Sequence, residues 1–198
     1  MGWLQRRREK RLFAKFDRIG AGCRIAGEPP EIKGHVELGD NVLLCGNIVL
    51  RTHKGGRILI GNAAEIGDYV LIQCNSRVEI GAEAYIGGHC VLRDTNHVMW
   101  GTDAPWRLTP HLTQPIVIGP RSFLGAHCYV MPGVTIGEGA AIVPGSVVGK
   151  DVPPFEIWAG MPARFVAHRT ELEKRTSLGR VLQMASLFGV PQDATTDE

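Results

Sequence analysis

Long apolar runs are missing from this sequence. No stretch approaches the ~20 consecutive apolar side chains of a membrane-spanning helix, so a helical membrane protein is not expected. An excess of one charge is missing too. The 22 Lys and Arg stand against 20 Asp and Glu, a formal net charge of +2, and the balance calls for no nucleic acid. The opening MGWLQRRREKR is basic, but no apolar core or cleavage site follows, so no secretory signal is expected. MGW also lacks the Ser or Thr of a myristoylation motif. The five cysteines (Cys23, Cys45, Cys74, Cys90 and Cys128) are an odd number without a CxxC pair. They read as small buried side chains in a reducing, cytoplasmic setting.

What the chain has in quantity is glycine, 25 residues spread at intervals, which suggests many regularly placed turns. The intervals belong to a repeat. From Ile118, steps of six reach Leu124, Val130, Ile136, Ile142 and Val148 without a break. About a quarter of the chain is Ile, Leu or Val, so such a run arises by chance roughly once in 4000. The same step links Leu38 to Leu44, Ile60 to Ile66 and Ile72, and Ile80 to Ile86, Leu92 and Val98. Four residues after these aliphatics there is usually a small or β-branched side chain, such as Ala64, Val70, Ser76, Cys90 or Ser146, and glycine often follows the aliphatic directly. A helix of 3.6 residues per turn would scatter these positions, and a strand has period two. The consistent solution is an all-β solenoid: short strands joined by tight turns, three faces to a coil, each sixth residue pointing inward.

Two breaks interrupt the phase. Between Ile72 and Ile80 two extra residues are expected to bulge around Asn75 and Val78. After Val98 the repeat vanishes into MWGTDAPWRLTPHLTQP, which with Trp100, Trp106 and His111 reads as an ordered, protruding loop. Residues 3–18 and 168–188 read as helices that cap the open ends of the solenoid. The basic N-terminal helix leaves contact with an anionic membrane surface open as the alternative. Within the repeat, Asn96 and Val98 are expected inward and His97 outward, on a rigid rung at the mouth of the loop.

The segments IGGHCVLRDTNHV and IVIGPRSFLGAHCYVMPGVTIGEGAAIVPGSVVGKDVPPFEIWAGMPARFV resemble the hexapeptide-repeat acetyltransferases. The likeness is to the galactoside/maltose and capsular or exopolysaccharide O-acetyltransferase branch. It covers roughly residues 58–167, with weaker repeats upstream. The resemblance implies a left-handed parallel β-helix with short N- and C-terminal helices and one protruding loop. The domains are then 1–21, a basic helical segment; 22–163, the β-helix with its loop at 99–115; and 164–198, a C-terminal helix and tail.

The resemblance further implies a homotrimer with active sites between subunits, acetyl-coenzyme A as co-substrate, a saccharide hydroxyl as acceptor, and no metal. By position in the motifs, His97 matches the general base, Lys150 and Arg164 the cations at the coenzyme's phosphate end, and Ala126 and Gly149 the backbone along its pantetheine arm. Phe123 replaces a frequent tryptophan, Pro144 a small residue, and Gly149 a frequent threonine. Trp100 and Trp106 offer flat faces for a sugar ring, and Asn75 offers a hydrogen bond to the acceptor. Asp94 is a candidate for orienting His97 or for stabilising a turn. An amino-sugar or antibiotic N-acetyltransferase is the alternative on the same scaffold. A zinc enzyme like the γ-class carbonic anhydrases, drawing on His89, His97 and His127, and a non-catalytic solenoid are weaker readings. The former's H-x4-H spacing is absent and a scaffold needs no D-T-N-H rung.

Overall fold

A computed structural model describes residues 13–169. The chain winds through three parallel faces that repeat in the same order. The first face stacks Arg18–Ile19, His35–Leu38, Arg57–Ile60, Arg77–Ile80, Ile116–Ile118 and Thr135–Ile136. The second begins at Arg24–Ile25 and climbs through Leu43–Leu44, Glu65–Ile66, Tyr85–Ile86, Phe123–Leu124 and Ala141–Ile142 to a closing hairpin, Glu156–Gly160 with Ala163–His168. The third runs from Glu31–Lys33 through Val49–Thr52, Leu71–Cys74, Val91–Arg93 and Tyr129–Val130 to Val147–Val148.

The period of six follows from this geometry, because three faces at six residues each make one coil. Ile118, Leu124 and Val130 occupy the three faces of one coil, and Ile136, Ile142 and Val148 occupy the next. Each residue therefore stacks on its own kind. Ile60, Ile80, Ile118 and Ile136 form one aligned column, Leu44, Ile66, Ile86, Leu124 and Ile142 a second, and Leu50, Ile72, Leu92, Val130 and Val148 a third. All are buried, and together they form one continuous core.

The glycine that follows each aliphatic of the first face is required by close approach rather than by a turn dihedral. A Cβ on Gly81 would come within 2.4 Å of the Pro120 nitrogen in the next coil. The turns themselves use residues with side chains. Asn41, Ala63, Glu83 and Arg121 at one corner, and Asn47, Tyr69, His89 and His127 at another, hold φ between 54° and 60°. Left-handed backbone costs such residues roughly 1–2 kcal/mol each. A ladder of N–H···O bonds between coils offsets that cost, as from Ala63 to Asp40 at 2.7 Å and from His127 to Gly88 at 2.9 Å.

Three details differ from expectation. Val78 is buried in its strand and Ser76 is exposed, so the extra residues at that corner are Asn75–Ser76. Asn96 and Val98 are half-buried rather than inward, because Thr95–His97 leaves the coil and pairs antiparallel with His111–Thr113. The loop is therefore the end of a hairpin, and strand structure resumes at His111 within the expected loop 99–115. The coils begin earlier than residue 22, at Arg18–Ile19, and Arg164 opens no helix but lies in the strand Ala163–His168. Buried Phe16 packs on the core below the first coil. The expected helices lie largely outside the described residues.

From Leu38 to Val148 all insertions fall at the corner between the third and first faces. Leu50 to Ile60 is ten residues, Ile72 to Ile80 eight, Leu92 to Ile118 twenty-six, and Val130 to Ile136 the basic six. Shortening one member of an aliphatic column leaves a cavity between two coils that cannot collapse onto each other. Ile72→Ala should therefore lose about 2–5 kcal/mol of stability, measured as a shift in the urea unfolding midpoint.

Candidate active site

The hairpin of the fourth coil is built on Asp94. Its carboxylate is fully buried and accepts hydrogen bonds from the backbone N–H groups of Asn75 (2.8 Å), Ser76 (2.6 Å) and Arg77 (3.0 Å). Asp94 thus fastens the Asn75–Ser76 corner to the base of the hairpin and does not reach His97 as an orienting group. The neighbouring Cys74 thiol lies 3.4 Å from the same carboxylate, and burial together with that charge pushes it up to about 12.

His97 is oriented instead by Thr109, on the returning side of the loop. His97 Nδ1 lies 3.0 Å from the Thr109 hydroxyl oxygen. That hydroxyl donates its single proton to the Trp106 carbonyl at 2.9 Å, so it can only accept from His97. Nδ1 therefore carries the imidazole proton, and Nε2 carries the free lone pair of a base. Thr109 is buried, and its backbone N–H also bonds to Trp106. The loop that sequence marked only as ordered thus fixes a tautomer. His111 stands directly opposite His97 in the hairpin, with ring centroids 4.2 Å apart. Shielding from water and the positive charge of His97, Lys54 and Arg93 hold its imidazole below the ordinary histidine range.

The other expected residues are distributed along the coils. Asn75 is half-buried on the same corner, one coil below His97. Trp106 sits in the 3₁₀ turn Trp106–Leu108; its ring and that of Trp100 are exposed. Gly149 and Lys150 also occupy this corner, two coils above His97 and so about 10 Å away along the axis. Both are exposed, and Lys150 forms no ion pair among the described residues. Ala126 lies on a different corner, between the second and third faces, beside Gly145. Beyond Gly145 there is open space, with nothing within 4 Å of where its Cβ would be. The backbone N–H groups of Ala126 and Gly149 have no hydrogen-bond partner among the described residues. Arg164 is exposed on the closing hairpin. Two open corners with free amide donors, and two unpaired cations beyond them, suit a slender polyamide arm ending in phosphates.

His89 and His127 stack with Tyr69 as a ladder of parallel rings, 4.7 and 4.9 Å apart, on the corner that carries Ala126. They repeat because the corner repeats, and no three His, Cys, Asp or Glu side chains among the described residues converge as metal ligands. Cys90 is buried and held protonated by the Cys128 thiol and by burial, which removes it as a nucleophile.

The family described as "Bacterial transferase hexapeptide (six repeats)" matches residues 115–150. Those residues carry the hexapeptide repeat of that family. Among curated relatives it is 29% identical over 162 residues to the "Putative lipopolysaccharide biosynthesis O-acetyl transferase WbbJ" of Escherichia coli, covering 76% of this chain and 83% of that one. Among solved structures it matches a galactoside acetyltransferase in complex with coenzyme A at 25% identity, with a TM-score of 0.64 over 88% of this chain and 76% of the other. A variant of AntD, an N-acyltransferase from Bacillus cereus in complex with dTDP and coenzyme A, superposes with a TM-score of 0.73 at 21% identity, over 90% and 95% of the two chains. That last likeness speaks to the hexapeptide-repeat fold alone.

The tautomer is directly measurable. Two-bond ¹H–¹⁵N spectra of the His97 imidazole should show Nδ1–H in the parent protein. Thr109→Val removes the acceptor without changing shape and should shift the ring toward the Nε2–H form. Thr109→Ser retains the hydroxyl and should restore the parent spectrum.

Proposed function

We propose that the protein is an acetyltransferase of the hexapeptide family that moves the acetyl group of acetyl-coenzyme A to a hydroxyl of a saccharide acceptor. The observation that carries this reading is the fixed tautomer of His97, whose Nε2 is free to accept a proton at the mouth of an ordered, aromatic loop. A sugar hydroxyl is a poor nucleophile at neutral pH, so a base must take its proton as the bond to carbon forms. Nε2 takes that proton while the oxygen attacks the thioester carbonyl, and the resulting imidazolium returns it to the departing thiolate. Thr109 holds the ring through Nδ1 and steadies the positive charge. Direct transfer needs no acyl-enzyme, which agrees with the buried, protonated state of Cys74 and Cys90.

The unpaired amides of Ala126 and Gly149 would hold the pantetheine arm, and Lys150 and Arg164 its phosphates. Ala126 lies on one corner of the coil while Gly149 and Lys150 lie on another. That separation supports a homotrimer in which two protomers complete each site. Trp100, Trp106 and Asn75 would meet the acceptor. No helix among the described residues is long and apolar enough to cross a membrane, and a cytoplasmic enzyme is the setting in which acetyl-coenzyme A is supplied.

His97→Ala should lower kcat by ~10²–10⁴ while coenzyme binding and subunit mass stay as in the parent. Retention of a tenth or more of the parent activity, read as acetyl-coenzyme A-dependent thiol release, would remove His97 as the base. Lys150→Ala and Arg164→Ala should each raise the acetyl-coenzyme A KM, by about tenfold for one charge-assisted contact. The rise should be smaller when the donor lacks the 3′-phosphate. Equal losses with both donors would move these residues to another part of the coenzyme.

A further inference from the structure

The corner that carries His97 also gathers positive charge that the chemistry of acetyl transfer does not require. Arg93 lies on the third face one residue after inward Leu92 and is half-buried with its side chain outward. Its Nε is shut off from solvent and has no hydrogen-bond partner among the described residues. Its neighbours in the same column show that this is not the face's general condition. Arg51, in register with Gln73 and through it with Arg93, is satisfied by Glu31 through two bonds of 2.9 Å. The nearest acid in sequence, Asp94, points into the core, where three backbone N–H groups occupy its carboxylate. Lys54 projects from the inserted turn two coils below the hairpin, exposed and held at a φ of 53°. Neither Lys54 nor Arg93 forms an ion pair among the described residues. Both lie near enough to His111 for their charge to be felt there, and His111 packs against His97.

We propose that Lys54 and Arg93, with His111, form an oxyanion-binding subsite beside the catalytic histidine, so that the acceptor is a saccharide bearing a carboxylate or phosphate. This rests on the acetyltransferase reading for the identity of the neighbouring reaction and on the hairpin geometry for the subsite itself. A buried guanidinium N–H without an acceptor is costly, and an anionic ligand would satisfy it with a charge-assisted bond. The remaining donors of the fork and the mobile ammonium of Lys54 can then close around the same group. Held there, the anion would fix the sugar relative to His97 Nε2 and select which hydroxyl meets it.

The test is titration calorimetry of glucuronate, glucose 6-phosphate and glucose into the full chain saturated with coenzyme A, so that phosphate sites serving the coenzyme are filled. At least one anionic sugar should bind about tenfold or more tightly than glucose. Which of the two gains distinguishes carboxylate from phosphate. Arg93→Met and Lys54→Asn should each narrow that preference to about twofold. Asn suits the left-handed position of Lys54, and this exposed change keeps the test available if Arg93→Met disturbs folding. Equal binding of the three sugars, no binding of any, or an undiminished preference in Lys54→Asn would overturn the subsite. Anionic preference without thiol release from acetyl-coenzyme A would sink the acetyltransferase reading and leave the subsite standing. Thiol release with glucose as good as with the charged sugars would do the reverse.

Discussion

Everything in this molecule depends on the parallel backbone hydrogen bonding between successive coils, which sets one fixed spacing for the whole chain. At that spacing a residue sees its own counterpart one coil away, so each position selects for self-stacking: Ile on Ile, Leu on Ile, and ring on ring in the Tyr69–His89–His127 ladder. The same spacing forbids a Cβ after the inward aliphatics of the first face, as the 2.4 Å approach at Gly81 shows. Two of the three corners are consequently locked by their own ladders of hydrogen bonds and left-handed residues. The third accepts the long insertions, including the loop whose Thr109 holds the His97 ring.

This division explains what the sequence could and could not disclose. The repeat was legible because a rigid constraint recurs every six residues, and it placed the inward columns of the regular coils correctly. It failed where the constraint lapses. Val78 stays in the core because two residues at Asn75–Ser76 absorb the extra length. Asn96 and Val98 leave the repeat because antiparallel pairing with His111–Thr113 supplies their backbone partners in place of the next coil. Phase counting carries no information about a pairing that is local to one hairpin.

His97 stands out in the sequence by its motif and by its place beside the loop, but the hydroxyl that holds its ring does not. Asp94 is closer in sequence and of the expected chemical type, yet alternation along the strand sends it into the core, where backbone donors claim it. Thr109 lies twelve residues away across the loop, and nothing in its sequence surroundings marks it. Its role comes from the turn at Trp106–Leu108, which consumes the hydroxyl proton and so leaves Thr109 only the accepting role toward His97. Nothing in the sequence marks Arg93 either; only the missing acceptor at its Nε sets it apart from Arg51.

The coil therefore holds two separate groups of cations, with His97 between them. Lys150 stands above it on the variable corner and Arg164 on the hairpin that closes the second face, while Arg93 and Lys54 stand at and below it. If one anion-rich ligand occupied the corner, a single continuous positive strip would serve. On the function proposed above, a base interposed between two groups instead suits two ligands that approach from opposite directions and meet at the histidine, each fixed by charge at its far end. Charge held at a distance from the reacting atoms supplies orientation without itself entering the chemistry. The reacting atoms then need only one well-aimed nitrogen, and the hydrogen bond from Nδ1 to Thr109 provides that aim.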